Sequence, residues 1–364
     1  MTSSKTFDAF LALVRLGIGH SMYWMPDAID WTEVKALAER HGLSAVVLDG
    51  IDRLMVQESK FKVDMPTVLR LEWIGEVLQN YENRYASYEK AIGSLAGFYN
   101  AHGFKMMVLK GYACSLDWVN PKHRPCGDID IWLFGQQKEA DKCLVESAEN
   151  AGIDSSHHHH TVFDWQGFTV ENHYDFINVH HHKSNVEFEV ILKELGSDGS
   201  HHVEVDGERV YLPFPDLHAL FLLKHTMMHF ASEGIMLRQV LDWGFFVEKH
   251  HQEVNWKMVL EVLNRFGMRQ MFNIINAICV GDLGFNASIF PEVQFEPGLK
   301  DRVVNEILAP KFSAEVPKQF FPRIVFKIRR WIDNGWKHQL CYKESMWSAF
   351  WSGVCAHLLK PSSI

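Results

Sequence analysis

The sequence predicts an α+β protein in which a mixed β-sheet core is flanked by N-terminal and C-terminal helical regions. Three observations predict it. Apolar residues recur at three- and four-residue spacing from Thr6 to about Gly103. Short apolar runs closed by glycine or polar turns then follow to about residue 210, and beyond Pro213 and Pro215 the helical period returns and holds to the end. The 364 residues are therefore expected to divide into a helical region at 1–102, a sheet-bearing core at 103–212 and a second helical region at 213–364.

Each element follows from its residues. FDAFLALVRLGI, VKALAERHGLSAVVLDGI and the stretch from Val68 to Tyr99 have helical spacing, and Asp30 is placed to cap WTEVKALAERHG with Glu33 three positions on. FKMMVLKG is a short strand ended by glycine, YACSLDWV a helix and DIDIWLF a second strand. A helix is expected over 137–151, then strands at FTVENHY, FINVHHH and VEFEVILK. DLHALFLLKHTMMHFASEG, MLRQVLDWGFFVEKH and WKMVLEVLNRFG return to helical spacing.

Composition narrows the function classes. With 36 basic and 45 acidic side chains the net charge is −9, which repels a polyanion and argues against nonspecific nucleic-acid binding. The six cysteines form no CxxC pair, so neither a zinc ribbon nor a disulfide scaffold is expected and a reducing cytoplasm is the simplest location. No apolar run is long enough to span a bilayer, and the first twenty residues lack a signal-peptide pattern, so neither export nor a transmembrane span is expected.

The chemistry concentrates in LKGYACSLDWVNPKHRPCGDIDIW. Asp128 and Asp130 are two apart on an expected strand, so their carboxylates share a face and repel unless a cation lies between them. Hard oxygen donors of this kind suit Mg²⁺, which completes its shell with water and substrate phosphates. Lys110 and Gly111 end the preceding strand, where glycine permits close approach of a phosphate to the backbone. Glu187 and Glu189, read as alternating on a strand, supply the candidate third acid.

These residues resemble the nucleotidyltransferase superfamily, and the combination LKG, Arg124 and GDIDI is similar to its uncharacterised bacterial nucleotidyltransferase family over roughly residues 100–250. The resemblance implies a nucleotidyltransferase-like core. It implies that Asp128, Asp130 and Glu189 or Glu187 hold Mg²⁺ or Mn²⁺, and that Lys110, Gly111, Tyr112 and Gly127 line the phosphate side. It also implies transfer of a nucleoside monophosphate from an NTP, ATP by default, to a hydroxyl of a small molecule, sugar or protein, releasing pyrophosphate. Arg124 reads either as a phosphate clamp or as an ion-paired surface residue. Tyr112 stands where the superfamily has Gly or Ser, which motivates the alternative of a nucleotide- or partner-binding protein without turnover.

Three further patterns carry expectations. The clusters His157–His160, His180–His182 and His201–His202 read as solvated loops before they read as zinc sites. His218, His225 and His229 share one helical face, with Lys224 adjacent, and either face the nucleotide cleft or form a polar seam. Arg238 and Asp242 are spaced for an intrahelical ion pair. FFPRIVFKIRRWIDNGWKHQLCYK mixes basic and aromatic residues, which suits an anionic surface or nucleic acid, although a buried aromatic face with a basic outer face is the commoner arrangement.

Overall fold

The structure, a computed structural model, describes residues 4–22, 24–57, 64–147, 152–157, 159–180, 182–312, 316–348 and 351. The chain opens with helices α1 (Ser4–Gly17), α2 (Trp31–His41) and α3 (Ser44–Gln57). Asp30 caps α2 as its spacing predicts, accepting from the amides of Thr32 at 3.1 Å and Glu33 at 3.0 Å. Glu33 accepts from the Thr6 hydroxyl at 2.9 Å, which ties α2 to α1. The α1–α3 crossing is close because of glycine: a Cβ on Gly50 would lie 2.0 Å from the Leu13 carbonyl oxygen. Helix α4 (Thr67–Val77) runs through a π-helical turn at Leu78–Asn83 into α5 (Arg84–Ala101).

Six strands form one mixed sheet: β1 (Met107–Val108), β2 (Ile129–Trp132), β3 (His160–Trp165), β4 (Phe168–His173), β5 (His202–Val205) and β6 (Glu208–Tyr211), in the order β3-β4-β2-β1-β6-β5. β1 is antiparallel to β2 and parallel to β6, β2 is parallel to β4, and β3–β4 and β5–β6 are antiparallel hairpins. The molecule is therefore α+β, as expected. Its intervening helices are α6 (Tyr112–Ser115), α7 (Gln137–Ser147) and α8 (Lys183–Gly196). Residues 148–151 of the helix expected over 137–151 lie outside the described residues.

Two expected strands are absent. FINVHHH is loop and bend where it is described, and VEFEVILK lies wholly within α8. Conversely, β3, β5 and β6 were not among the expected strands.

The C-terminal part comprises α9 (Pro215–Ser232), α10 (Leu237–His250), α11 (Trp256–Arg265), α12 (Arg269–Ala277), α13 (Pro297–Leu308), α14 (Phe320–Asp333) and α15 (Gly335–Cys341). One core packs Tyr88, Ile92, Leu95 and Tyr99 of α5 and Leu144 of α7 against Val108, Ile129, Ile131, Val170 and Val210 of the sheet. The other joins the opposite sheet face, through Met107 and Trp132, to helices from both ends of the chain, including Phe10, Leu13, Phe188, Phe221 and Leu241. Strand alternation thus leaves Asp130, between Ile129 and Ile131, on the face that α8 and α9 cover. The aromatic-basic C-terminal segment departs from the commoner arrangement, because the apolar side chains of α14 are exposed. No helix among the described residues is long and apolar enough to cross a membrane. Cys114, Cys126, Cys143, Cys279 and Cys341 are free thiols, and Cys355 lies outside the described residues.

Several histidines are buried as neutral bases, with consequences for pH. Burial pushes His41 and His218 down to about 4. Against burial, hydrogen bonds to carboxylates move His123, His173 and His250 the other way. For a base held below its unfolded value near ~6.5, the unfolded chain binds more protons, so stability falls as pH drops from about 7 toward 4. His218 alone is expected to cost on the order of 1–2 kcal/mol at about pH 5. Thermal melts of His218→Gln should therefore show a shallower pH slope than the wild type; an unchanged slope would contradict this.

Candidate active site

The site is built where β1 and β2 meet. The Leu109 amide donates to the Asp130 carbonyl at 3.0 Å, and the chain then turns at Lys110 and Gly111. Gly111 has φ 54° and ψ −96°, a conformation that L side chains rarely adopt, and a Cβ there would lie 2.6 Å from the Tyr88 hydroxyl. That hydroxyl donates to the Asp128 carbonyl at 2.9 Å, so one tyrosine of α5 holds the glycine turn beside the start of β2. Ile129 and Ile131 pack toward α5, which sends Asp130 to the opposite face. Asp128 precedes the strand and is exposed. Parallel β4 sets Glu171 directly opposite Asp130, and His173 follows two residues later on the same face.

Charge organises this cluster. The Lys110 Nζ lies 2.7 Å from Asp130 Oδ1, and His173 Nε2 lies 3.0 Å from the same oxygen and 3.4 Å from Glu171 Oε2. Burial works against ionisation of Asp130, yet Lys110 and His173 hold its carboxyl well below the usual range. The hydrogen bond from His173 outweighs burial and lowers Glu171, while His173 itself is raised against burial by its bonds to both acids. Burial, followed by the negative charges of Glu171 and Asp130, raises Asp128. Asp130 and Glu171 thus stand face to face beside Lys110 and His173, with Asp128 close enough to feel their charge.

Asp130, Glu171 and His173 each bring a ligand atom within 4.8 Å of the others. The carboxylate oxygens of Asp130 and Glu171 are hard donors of the kind Mg²⁺ or Mn²⁺ takes, and Asp128, just before β2, is near enough to feel both charges. His159, His160 and His173 are grouped within the same distance. His173 Nε2, however, is occupied as a donor to two acids, so this trio reads as part of the charge network. His160 is 6% exposed and opens β3, which departs from the solvated tract expected; His158 and His181 lie outside the described residues.

A polar chain continues from the acids into α9. Lys110 Nζ lies 3.3 Å from His225 Nε2, which lies 3.1 Å from His229 Nε2. Burial and the Lys110 charge push His225 well below its ordinary value, so it stays neutral and accepts from Lys110. His225 and His229 therefore face the site, whereas His218 lies against Cys114 and Phe246.

The structure brings together Asp130, Lys110, Gly111 and His225, and sets exposed Gly127 and Asp128 just before β2, where Asp128 feels the charges of Asp130 and Glu171. It does not bring in the others. Glu187 and Glu189 are on α8, not on a strand, and do not converge with Asp130. Glu187 is exposed and pairs with Arg265 at 2.9 Å, while Glu189 is buried and accepts from the amides of Phe176 at 2.9 Å and Ile177 at 3.1 Å. Burial pushes the Glu189 carboxyl up to about 7 despite those bonds. The Arg124 guanidinium is buried in a two-point pair with Asp242, at 2.8 and 2.9 Å, so the Arg238–Asp242 pair expected from spacing does not form. Lys224 is buried with its Nζ 4.3 Å from the centre of the Tyr342 ring, and Tyr112 is buried with its hydroxyl donating to Glu89 at 3.0 Å. Sequence reasoning missed Glu171 and His173. The signal was present in FTVENH, where Thr169, Glu171 and His173 alternate with Phe168 and Val170.

The protein is thus an α+β protein in which acids from two adjacent strands of a mixed sheet stand beside a lysine–glycine turn. A family model described as an uncharacterised nucleotidyltransferase matches residues 27–280, and the chain belongs to that family. No curated protein and no solved structure matches it.

Proposed function

We propose that the protein transfers a nucleoside monophosphate from an NTP, ATP by analogy, to a hydroxyl-bearing acceptor. The acceptor oxygen bonds to the α-phosphorus, the bond to the bridging oxygen breaks, pyrophosphate leaves, and the hydroxyl proton passes to solvent or a nearby base. The observation that carries this reading is the register of Asp130 opposite Glu171, one residue from Ile129 and two from Asp128, on the face beside Lys110 and Gly111. Asp128, Asp130 and Glu171 would hold Mg²⁺ or Mn²⁺, which supplies charge neutralisation for the polyphosphate. Lys110 is placed to exchange its pairing with Asp130 for a phosphate oxygen. His225 receives the lysine's hydrogen bond and so keeps its ammonium at the mouth of the turn.

The test is pyrophosphate release by the pure protein with Mg²⁺ and each NTP in turn, with candidate acceptors or water. Asp128→Asn is expected to lower release by about 100-fold or more, equivalent to several kcal/mol of lost transition-state stabilisation. A second reading, nucleotide binding without turnover, is favoured by one observation: Lys110 and His173 already neutralise Asp130. Nucleotide binding without release, unaltered by Asp128→Asn, would select it.

A further inference from the structure

We propose that α14 docks the protein on an anionic lipid surface. At 100° per residue, Phe320, Phe321, Ile324, Val325, Ile328 and Ile332 occupy one arc of about 140°. All six are exposed, Phe321 by 76% and Ile332 by 63%. The helix meets the body from the opposite side, through Phe326, whose ring lies 5.6 Å from Phe312, and Asp333, which pairs with Lys311 at 2.9 Å. Helices on globular proteins ordinarily turn this stripe inward. Here it points away, and α14 has no buried residue.

The flanking charges identify the occupant. Arg323 and Lys327 border the arc on one side and Arg329 on the other, and none of the three is ion-paired among the described residues. These cations stand on a chain whose net charge is −9, so the helix is attracted to negative charge where the rest of the molecule is repelled. An apolar band between two basic margins matches phosphate headgroups lying over acyl chains, because Lys and Arg stems follow apolar surface while their heads stay with the phosphates. Trp331, half-buried within the arc, lies 5.2 Å from Trp347, which is 64% exposed; indole rings favour this interfacial depth. Fourteen residues make a helix of about 21 Å, which lies in the plane of an interface and is too short to span a bilayer. The segment is outside the residues that match the family, and the proposal does not depend on the reading of the acid site.

Cosedimentation of the full chain with vesicles tests it, comparing equal parts phosphatidylglycerol and phosphatidylcholine with phosphatidylcholine alone. The protein should pellet with the anionic vesicles, and less so as salt rises. Lys327→Glu with Arg329→Glu, and separately Val325→Ser with Ile328→Ser, should each reduce the bound fraction about tenfold or more. Both pairs are on the surface, and unchanged melting temperatures establish that they fold. No excess binding to anionic vesicles, or binding indifferent to either pair, overturns the proposal. So does a concentration-dependent dimer in sedimentation velocity that Val325→Ser with Ile328→Ser dissolves, which would assign the face to a second copy of the chain.

Discussion

Glu171→Gln is expected to lower nucleotide-dependent pyrophosphate release by about 100-fold or more, while Glu187→Gln leaves it within about twofold. The contrast isolates geometry from charge, since both changes remove one negative charge from a glutamate. Glu171 is opposite Asp130 across parallel strands and shares His173 with it. Glu187 is on the outer side of α8, paired with Arg265 at the surface. Gln keeps the shape of Glu171 but offers no charge to a divalent cation, so folding should survive where activity does not. Equal activity in the wild type and Glu171→Gln would remove Glu171 from the machinery.

Arg124→Ala is expected to destabilise the fold by about 3–5 kcal/mol, measured by urea unfolding. Asp242 accepts from Arg124 at two points and from the Trp118 indole at 2.8 Å, all within the interior. Truncating the arginine leaves a buried carboxylate with one neutral donor, the costly case for a buried pair. The double variant Arg124→Met with Asp242→Leu removes both charges and should be less destabilised than Arg124→Ala. A stable Arg124→Ala with a markedly raised KM for NTP would instead mean that Arg124 reaches the nucleotide.

What the sequence made legible was local. Asp130 was readable because strand alternation is a fixed period, whereas Asp128, expected on the same strand, lies just before it; Gly111 was readable because a turn between a strand and a helix needs a conformation that glycine supplies. The Asp30 cap was readable for the same reason, its amide partners lying two and three residues away. VEFEVILK was misread as a strand because it satisfies two periods at once. Val186, Phe188 and Val190 alternate as in a strand, but Phe188 and Leu192 are also one helical turn apart, and these two are the buried pair while Val186 and Val190 are exposed. Short apolar runs do not separate the two periods, and the fourteen-residue length of α8 is a tertiary outcome. Arg124 was readable as a cation, but not by its partner: Asp242 is 118 residues away, and the local spacing rule offered Arg238 instead. The inward turn of Lys224 was hidden in the same way, since α9 is apolar on nearly every side and its sequence does not say which neighbour covers which face.

Asp128, Asp130 and Glu171 are proposed to act together as one cation site at the mouth of the Lys110–Gly111 turn. Mn²⁺ binding followed by electron paramagnetic resonance, with and without ATP, tests it most directly. Nucleotide-enhanced Mn²⁺ binding should be lost in Asp128→Asn, Asp130→Asn and Glu171→Gln and retained in Glu187→Gln. Binding that persists in Asp130→Asn and Glu171→Gln, or that disappears equally in Glu187→Gln, would contradict it.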